Sequence, residues 1–143
     1  MRKLVGLLCI AILSAGCSGS ETVNDKQVEI LHSRLVAGKY QEIYDLSYDG
    51  VKKRHSSEEF VSRITEATVA MREFDETLKW EKLPRPRTDF FNDPQNSSFR
   101  IMEKDGNQIM IEMWWATDKL LCAFEISKNF GSTPNFVVVR ACA

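Results

Sequence analysis

The hydrophobic period of this chain changes once, and that change limits the fold more than any other feature of the sequence. From Lys26 to Ala37 the apolar residues Val28, Leu31 and Leu35, with Ile30 and Val36 beside them, recur at helical spacing, and Gly38 supplies a stop. A second, shorter helix is expected over Tyr40 to Ser47, where Tyr40, Ile43, Tyr44 and Ser47 share a face ahead of the Asp49-Gly50 turn signal. The third has the clearest start, because Ser56 followed by Glu59 is a capping-box pattern; Phe60, Val61, Ile64, Thr68 and Met71 then lie along one side.

After Met71 the period is two. Phe74, Glu76, Leu78 and Trp80 alternate with Asp75, Thr77, Lys79 and Glu81, as on a strand with one buried face. Pro84, Pro86 and Pro94 interrupt residues 83–96, which cannot be a central strand. Phe99 to Glu103 resumes the alternation, and Asp105-Gly106-Asn107 turns the chain into a strand from Gln108 to Thr117. A tight Thr117-Asp118 connection leads to Lys119–Ser127, and Phe136 to Arg140 closes the series. Three helices followed by about five strands in meander order predict an α+β domain, with the helices packed on one face of a curved antiparallel sheet.

Ahead of this domain, Met1, Arg2 and Lys3 form a basic start, Leu4 to Leu13 an apolar core, and Ser14, Ala15 and Gly16 a run of small residues before Cys17. That is the anatomy of an export signal, and its apolar core is about half the roughly 20 residues a membrane span requires. Leu13-Ser14-Ala15-Gly16-Cys17 resembles the lipobox of bacterial lipoproteins, although Ser14 stands where leucine is usual. The resemblance implies removal of residues 1–16 and acylation of Cys17, and Ser18 after the cysteine implies the outer membrane, with the domain on its periplasmic face. Residues 17–25 then serve as a lipidated tether to a single domain over 26–143. One acyl chain binds a bilayer marginally while two or three hold firmly. Beyond residue 16 there are 17 basic against 20 acidic residues, a formal charge near −3 that speaks against a nucleic-acid partner.

With Cys9 in the signal and Cys17 lipidated, Cys122 and Cys142 remain. A symmetric hairpin centred on Ser132 sets Ile126 opposite Val138, Phe124 opposite Arg140 and Cys122 opposite Cys142. In an oxidising compartment that pairing predicts a disulfide. No metal and no cofactor is expected: C-x-x-C is absent, and His32 and His55 stand alone.

The run L-V-A-G-K-Y-Q-E-I-Y-D-L-S at Leu35 to Ser47, the S-S-E-E-F-V-S-R-I helix after it, and the late strands rich in Trp, Glu and apolar residues resemble small bacterial lipoproteins of the nuclear transport factor 2-like, or cystatin-like, superfamily. The resemblance implies a cone in which the sheet curls round the helices and which several members use as a ligand pocket. Candidate pocket residues are Tyr40, Tyr44, Phe60, Trp80, Glu112, Trp114 and Arg140. Alternation sends Trp114 and Trp115 to opposite faces of their strand. Trp115 joins Arg85, Arg87, Phe90 and Phe91 as a candidate partner surface. Glu112 and Arg140 form a candidate polar pair, provided that the face of Glu112 and Trp114 coincides with that of Phe124 and Arg140.

Asp45, Asp49, Glu112, Tyr40 and Tyr44 follow no spacing that a general acid–base mechanism requires, and no nucleophile elbow or phosphate loop is present. The sequence therefore predicts no enzyme. It points to a membrane-tethered binding module for a small apolar ligand or an envelope protein, or alternatively to an immunity protein that neutralises a periplasmic toxin.

Overall fold

Local chemistry sets the helix ends. Ser56, in an extended conformation, accepts a hydrogen bond from the Glu59 N–H at 3.1 Å and so caps helix α4 (Ser57–Phe74), the start predicted by the sequence. Its buried stripe is Phe60, Ile64, Ala67, Thr68 and Met71; the Thr68 hydroxyl donates to the Ile64 carbonyl at 2.6 Å and can therefore sit in the core. Helix α1 (Val23–Val36) buries Val28, Leu31 and Leu35. It ends where Gly38, at φ +69°, lets the Gly38 N–H reach the Leu35 carbonyl and the Lys39 N–H reach that of Arg34. Ile30 and Val36, expected beside the apolar stripe, are 42% and 45% exposed.

The computed structural model describes residues 23–82, 97–128 and 136–142. Cys17, the first part of the tether, and the segment that carries Arg85, Arg87, Phe90 and Phe91 lie outside the described residues. The helix starts at Val23, so the last three residues of the expected tether belong to the domain. No helix among the described residues is long and apolar enough to cross a membrane.

Four helices, not three, precede the sheet. After α2 (Tyr40–Asp45) the chain forms α3 (Asp49–Arg54), where a turn was expected at Asp49-Gly50. The glycine serves close approach, not a turn: a Cβ on Gly50 would lie 2.6 Å from the Tyr48 ring and 3.0 Å from the Ala141 carbonyl oxygen. Between α2 and α3, Ser47 bridges Leu121, and the Tyr48 N–H donates to the Leu121 carbonyl at 3.0 Å, joining the helical layer to the sheet.

The sheet is an antiparallel meander in the order β1 (Glu81–Lys82), β2 (Ser97–Lys104), β3 (Asn107–Trp115), β4 (Leu121–Lys128) and β5 (Phe136–Arg140), with β1 and β5 at its edges. Asp105 and Gly106, both at positive φ, form the two-residue turn between β2 and β3, as the Asp-Gly signal predicts. Ile109, Ile111, Met113 and Trp115 point toward the helices, with Met102 opposite Ile109, Ile126 opposite Ile111 and Phe124 opposite Met113. The helix–sheet layer is α+β as expected, with α4 against β5 and α1 against β2.

Two expectations about the strands are corrected. Phe74 is the last residue of α4, and of the described residues from Phe74 to Lys82 only Glu81 and Lys82 pair with β2, so the alternation from Phe74 to Trp80 is not a strand. The Asp75 carboxylate instead accepts the Thr77 N–H and hydroxyl, and Leu78 turns at φ +52° to bury its side chain. Phe74, Leu78 and Trp80 all reach the core from this turn, which satisfies the same apolar residues without a pleat. The last hairpin is also offset: Ile126 faces Phe136 and Ala123 faces Arg140, with an irregularity between Phe124 and Glu125. That offset still delivers Cys122 to Cys142, which are bonded with Cα atoms 4.9 Å apart.

Candidate functional site

The alternation that buries Ile111 and Met113 on one side of β3 places Met110, Glu112 and Trp114 on the other. Opposite them on β2 stand Ile101, Phe99 and Ser97; on β4, Glu125 faces Glu112 and Ala123 faces Trp114. Arg140 joins this face because it is paired with Ala123. The centre of the sheet face turned away from the helices is thus two opposed carboxylates, an indole and a guanidinium.

The Trp114 Nε1–H donates to Glu112 Oε1 at 2.6 Å, and the Arg140 Nε–H donates to Glu125 Oε1 at 2.5 Å. Arg140 therefore takes Glu125 as its partner and not Glu112, the expected one. The hairpin irregularity puts Arg140 on the face of Glu112 and Glu125, opposite to that of Phe124, and Glu125 lies on β4, the strand β5 pairs with, whereas Glu112 lies one strand further away on β3. Glu125 is 8% exposed, whereas the Arg140 side chain is 64% exposed and keeps most of its charge in water. Burial raises the Glu112 carboxyl above its ordinary value of 4.5, with a smaller contribution in the same direction from Glu125; the Trp114 hydrogen bond and Arg140 oppose it.

A carboxyl held above its unfolded value costs stability once it ionises. The folded domain then binds the proton more tightly than the unfolded chain, so this contribution is absent below about pH 4 and unfavourable above the raised folded value. Glu112→Gln, which keeps an oxygen for Trp114, is expected to raise the urea midpoint at pH 7 and to leave it unchanged at pH 3. An equal gain at both pH values defeats this account.

The seven candidate pocket residues fall into separate groups. Phe60 is fully buried in the helix–sheet core, with Tyr44 tilted against it at 5.4 Å and the Tyr44 hydroxyl donating to the His55 carbonyl at 2.9 Å. Tyr40 packs on the core margin, and Trp80 stacks on His32 at 4.2 Å while the His32 Nε2–H donates to the Leu78 carbonyl. Glu112, Trp114 and Arg140 stand on the opposite side of the sheet. Trp115, expected on a partner surface, is 4% exposed; its indole faces the helices and donates to the Ser98 hydroxyl at 3.2 Å. Between helices and sheet lie Phe60, Leu35, Ile64, Met71 and Met113, each 0–1% exposed.

Two polar residues of consequence were not picked out from the sequence. Glu125 is a lone carboxylate in the apolar run Leu120 to Ile126, and a charge inside such a run signals a buried partner. Arg100 is 7% exposed and meets Asp25 across the sheet–helix boundary, a contact with no local signature because 75 residues separate the two. Asp45 and Asp49 lie exposed on the helical layer, and among the described residues no three His, Cys, Asp or Glu side chains are grouped to hold a metal ion. No family model matches the chain, and no curated protein or solved structure is significantly similar to it.

Proposed function

We propose that this chain is a lipid-tethered, non-catalytic protein-binding module of a bacterial envelope, anchored at Cys17 and held on the periplasmic face of the outer membrane. The observation that carries the binding role is the outer sheet face. There, half-buried Ile101, Met110 and Trp114 border the solvent-facing guanidinium of Arg140, the residue types that dominate protein interfaces. The burial of Phe60, one of the candidate pocket residues, in the helix–sheet core favours such a surface over a small apolar ligand held inside the fold. The Cys122–Cys142 bond supports an oxidising compartment, and hence export. We read the sheet as the wall of a nuclear transport factor 2-like, cystatin-like cone whose outer surface, not its interior, meets the partner.

Affinity capture from envelopes tests this directly. The tethered chain is expected to retain a partner that Trp114→Ala loses by about 30-fold, the scale of an interfacial hot spot. Cys17→Ser is expected to release the domain from membranes. Equal capture by Trp114→Ala removes the sheet face from the proposal, and undiminished membrane attachment of Cys17→Ser removes the anchor. A captured hydrolase encoded beside the chain turns the reading toward immunity, whereas an envelope component supports the proposal as stated.

A further inference from the structure

The outer sheet face is charged unevenly. Strand register sets Glu81 opposite Ile101, Glu103 opposite Gln108 and Glu112 opposite Glu125, so all four carboxylates stand on the side turned away from the helices. Among the described residues of these strands, Arg140 is the one cation on that side, and Glu125 already holds it. At the β1 edge Asp75 and Lys79 share a hollow with Glu81, Ile101 and Glu103; being of opposite sign, they leave the balance unchanged. Among the described residues Glu81, Glu103 and Glu112 take part in no ion pair. Glu103 accepts from Gln108 Nε2 at 3.0 Å and Glu112 from the Trp114 indole, both neutral donors.

The register adds a second observation. Like charges directly opposite one another on paired strands destabilise the sheet. Glu112 and Glu125 are such a pair, and the guanidinium of Arg140 is bonded to Glu125 alone. An ionised Glu112 therefore opposes the stability of the domain, and a binding role accounts for a residue that does so.

Resting on the outer-face binding role above, we propose that the protein partner presents a basic segment to this face, with one cationic side chain on Glu112 beside Trp114, a second on Glu103, and an apolar side chain between them on Ile101 and Met110. Glu103 is paired with Gln108, four positions before Glu112 on β3, so the two carboxylates lie about 13 Å apart along the strand direction. Ile101 and Met110, opposite each other, lie midway. Cations at the first and fifth residues of an extended segment match that span, and the third residue points to the same side. An acidic segment would instead meet carboxylates that no cation offsets.

Titration of the purified full chain, disulfide intact, with the capped peptide Lys-Thr-Leu-Thr-Lys is the test, read by the NMR signal of the Trp114 indole N–H. A saturable shift is expected, with Glu-Thr-Leu-Thr-Glu at least about tenfold weaker. Glu112→Gln is expected to weaken the lysine peptide by about fivefold while raising the urea midpoint at pH 7, an opposition between affinity and stability that a merely structural carboxylate does not produce. Glu103→Gln, at an exposed position, is expected to weaken it by about threefold. Glu66→Gln, exposed on α4 and equal in charge change, is expected to leave it unchanged. The inference is overturned by the absence of a saturable shift, by equal binding of the glutamate peptide, by unchanged affinity in Glu112→Gln, or by an equal loss in Glu66→Gln. If Trp114→Ala still loses the envelope partner, the surface survives that failure and only the charge of its occupant is wrong; capture undiminished by Trp114→Ala removes the surface itself.

Discussion

Cys142→Ser is expected to lower the unfolding free energy by about 3 kcal/mol, and the Tm by roughly 10 °C, relative to the oxidised chain. The bond closes a loop 20 residues apart in sequence, and cutting it releases the unfolded chain from that constraint. Because Cys142 is exposed, the serine leaves no void, and the loss measures the cross-link alone. Cys122→Ala is expected to cost more, since Cys122 is 1% exposed and its truncation also empties packed space. The consequence is local first. Ala141, fully buried, holds its place through an N–H bond to the Cys122 carbonyl at 2.8 Å, and β5 lies at the sheet edge, where its neighbour among the described strands is β4. Urea unfolding with and without reductant checks the claim: reduced wild type should coincide with Cys142→Ser. A midpoint that reduction does not move would defeat it.

The features that were legible beforehand are those whose determinants sit within a few residues of one another. The Ser56 cap, the Gly38 stop and the Asp105-Gly106 turn each follow from one side chain or one backbone conformation, and each stands where local chemistry placed it. The Cys122–Cys142 bond was legible for a different reason: once two cysteines are assigned to the export segment, no other pair remains. Its hairpin register was not, because the irregularity beside Phe124 has no local sequence signature; Val138 and Val139, adjacent in the strand, are both buried, so alternation does not fix the register there. The same offset decided the candidate site, giving Arg140 to Glu125. Alternation misled at Phe74 to Trp80, where a turn held by Asp75 buries apolar residues two apart as well as a strand does. Gly50 misled because a glycine demanded by close packing looks the same in sequence as one demanded by a turn.

Asp25→Ala is expected to cost about 3 kcal/mol, close to the disulfide, although it removes one short side chain at the start of a helix. Asp25 lies in the first turn of α1, where its charge also suits the helix dipole, and it accepts from Arg100 Nη2 at 3.2 Å and from Lys82 Nζ at 2.9 Å. The two cations differ in what they lose. The Lys82 side chain is 63% exposed and returns to water, so Lys82→Ala should cost no more than about 0.5 kcal/mol. The Arg100 side chain is 8% exposed and donates otherwise to the Phe99 carbonyl, so without Asp25 its charge stays buried and uncompensated. The pair should therefore be asymmetric in a double-mutant cycle. Arg100→Met alone strands a carboxylate that Lys82 still serves, and should cost less than Asp25→Ala. Asp25→Leu with Arg100→Met removes the buried cation together with its counter-charge, and should lie within about 1 kcal/mol of wild type, because desolvation and attraction are removed together. Urea midpoints for the four proteins decide the matter. A double variant as unstable as the sum of the singles would mean that the two side chains are not coupled, and the account of a buried charge left uncompensated fails. A single Asp25→Ala loss below about 1 kcal/mol would mean that Arg100 finds water on its own.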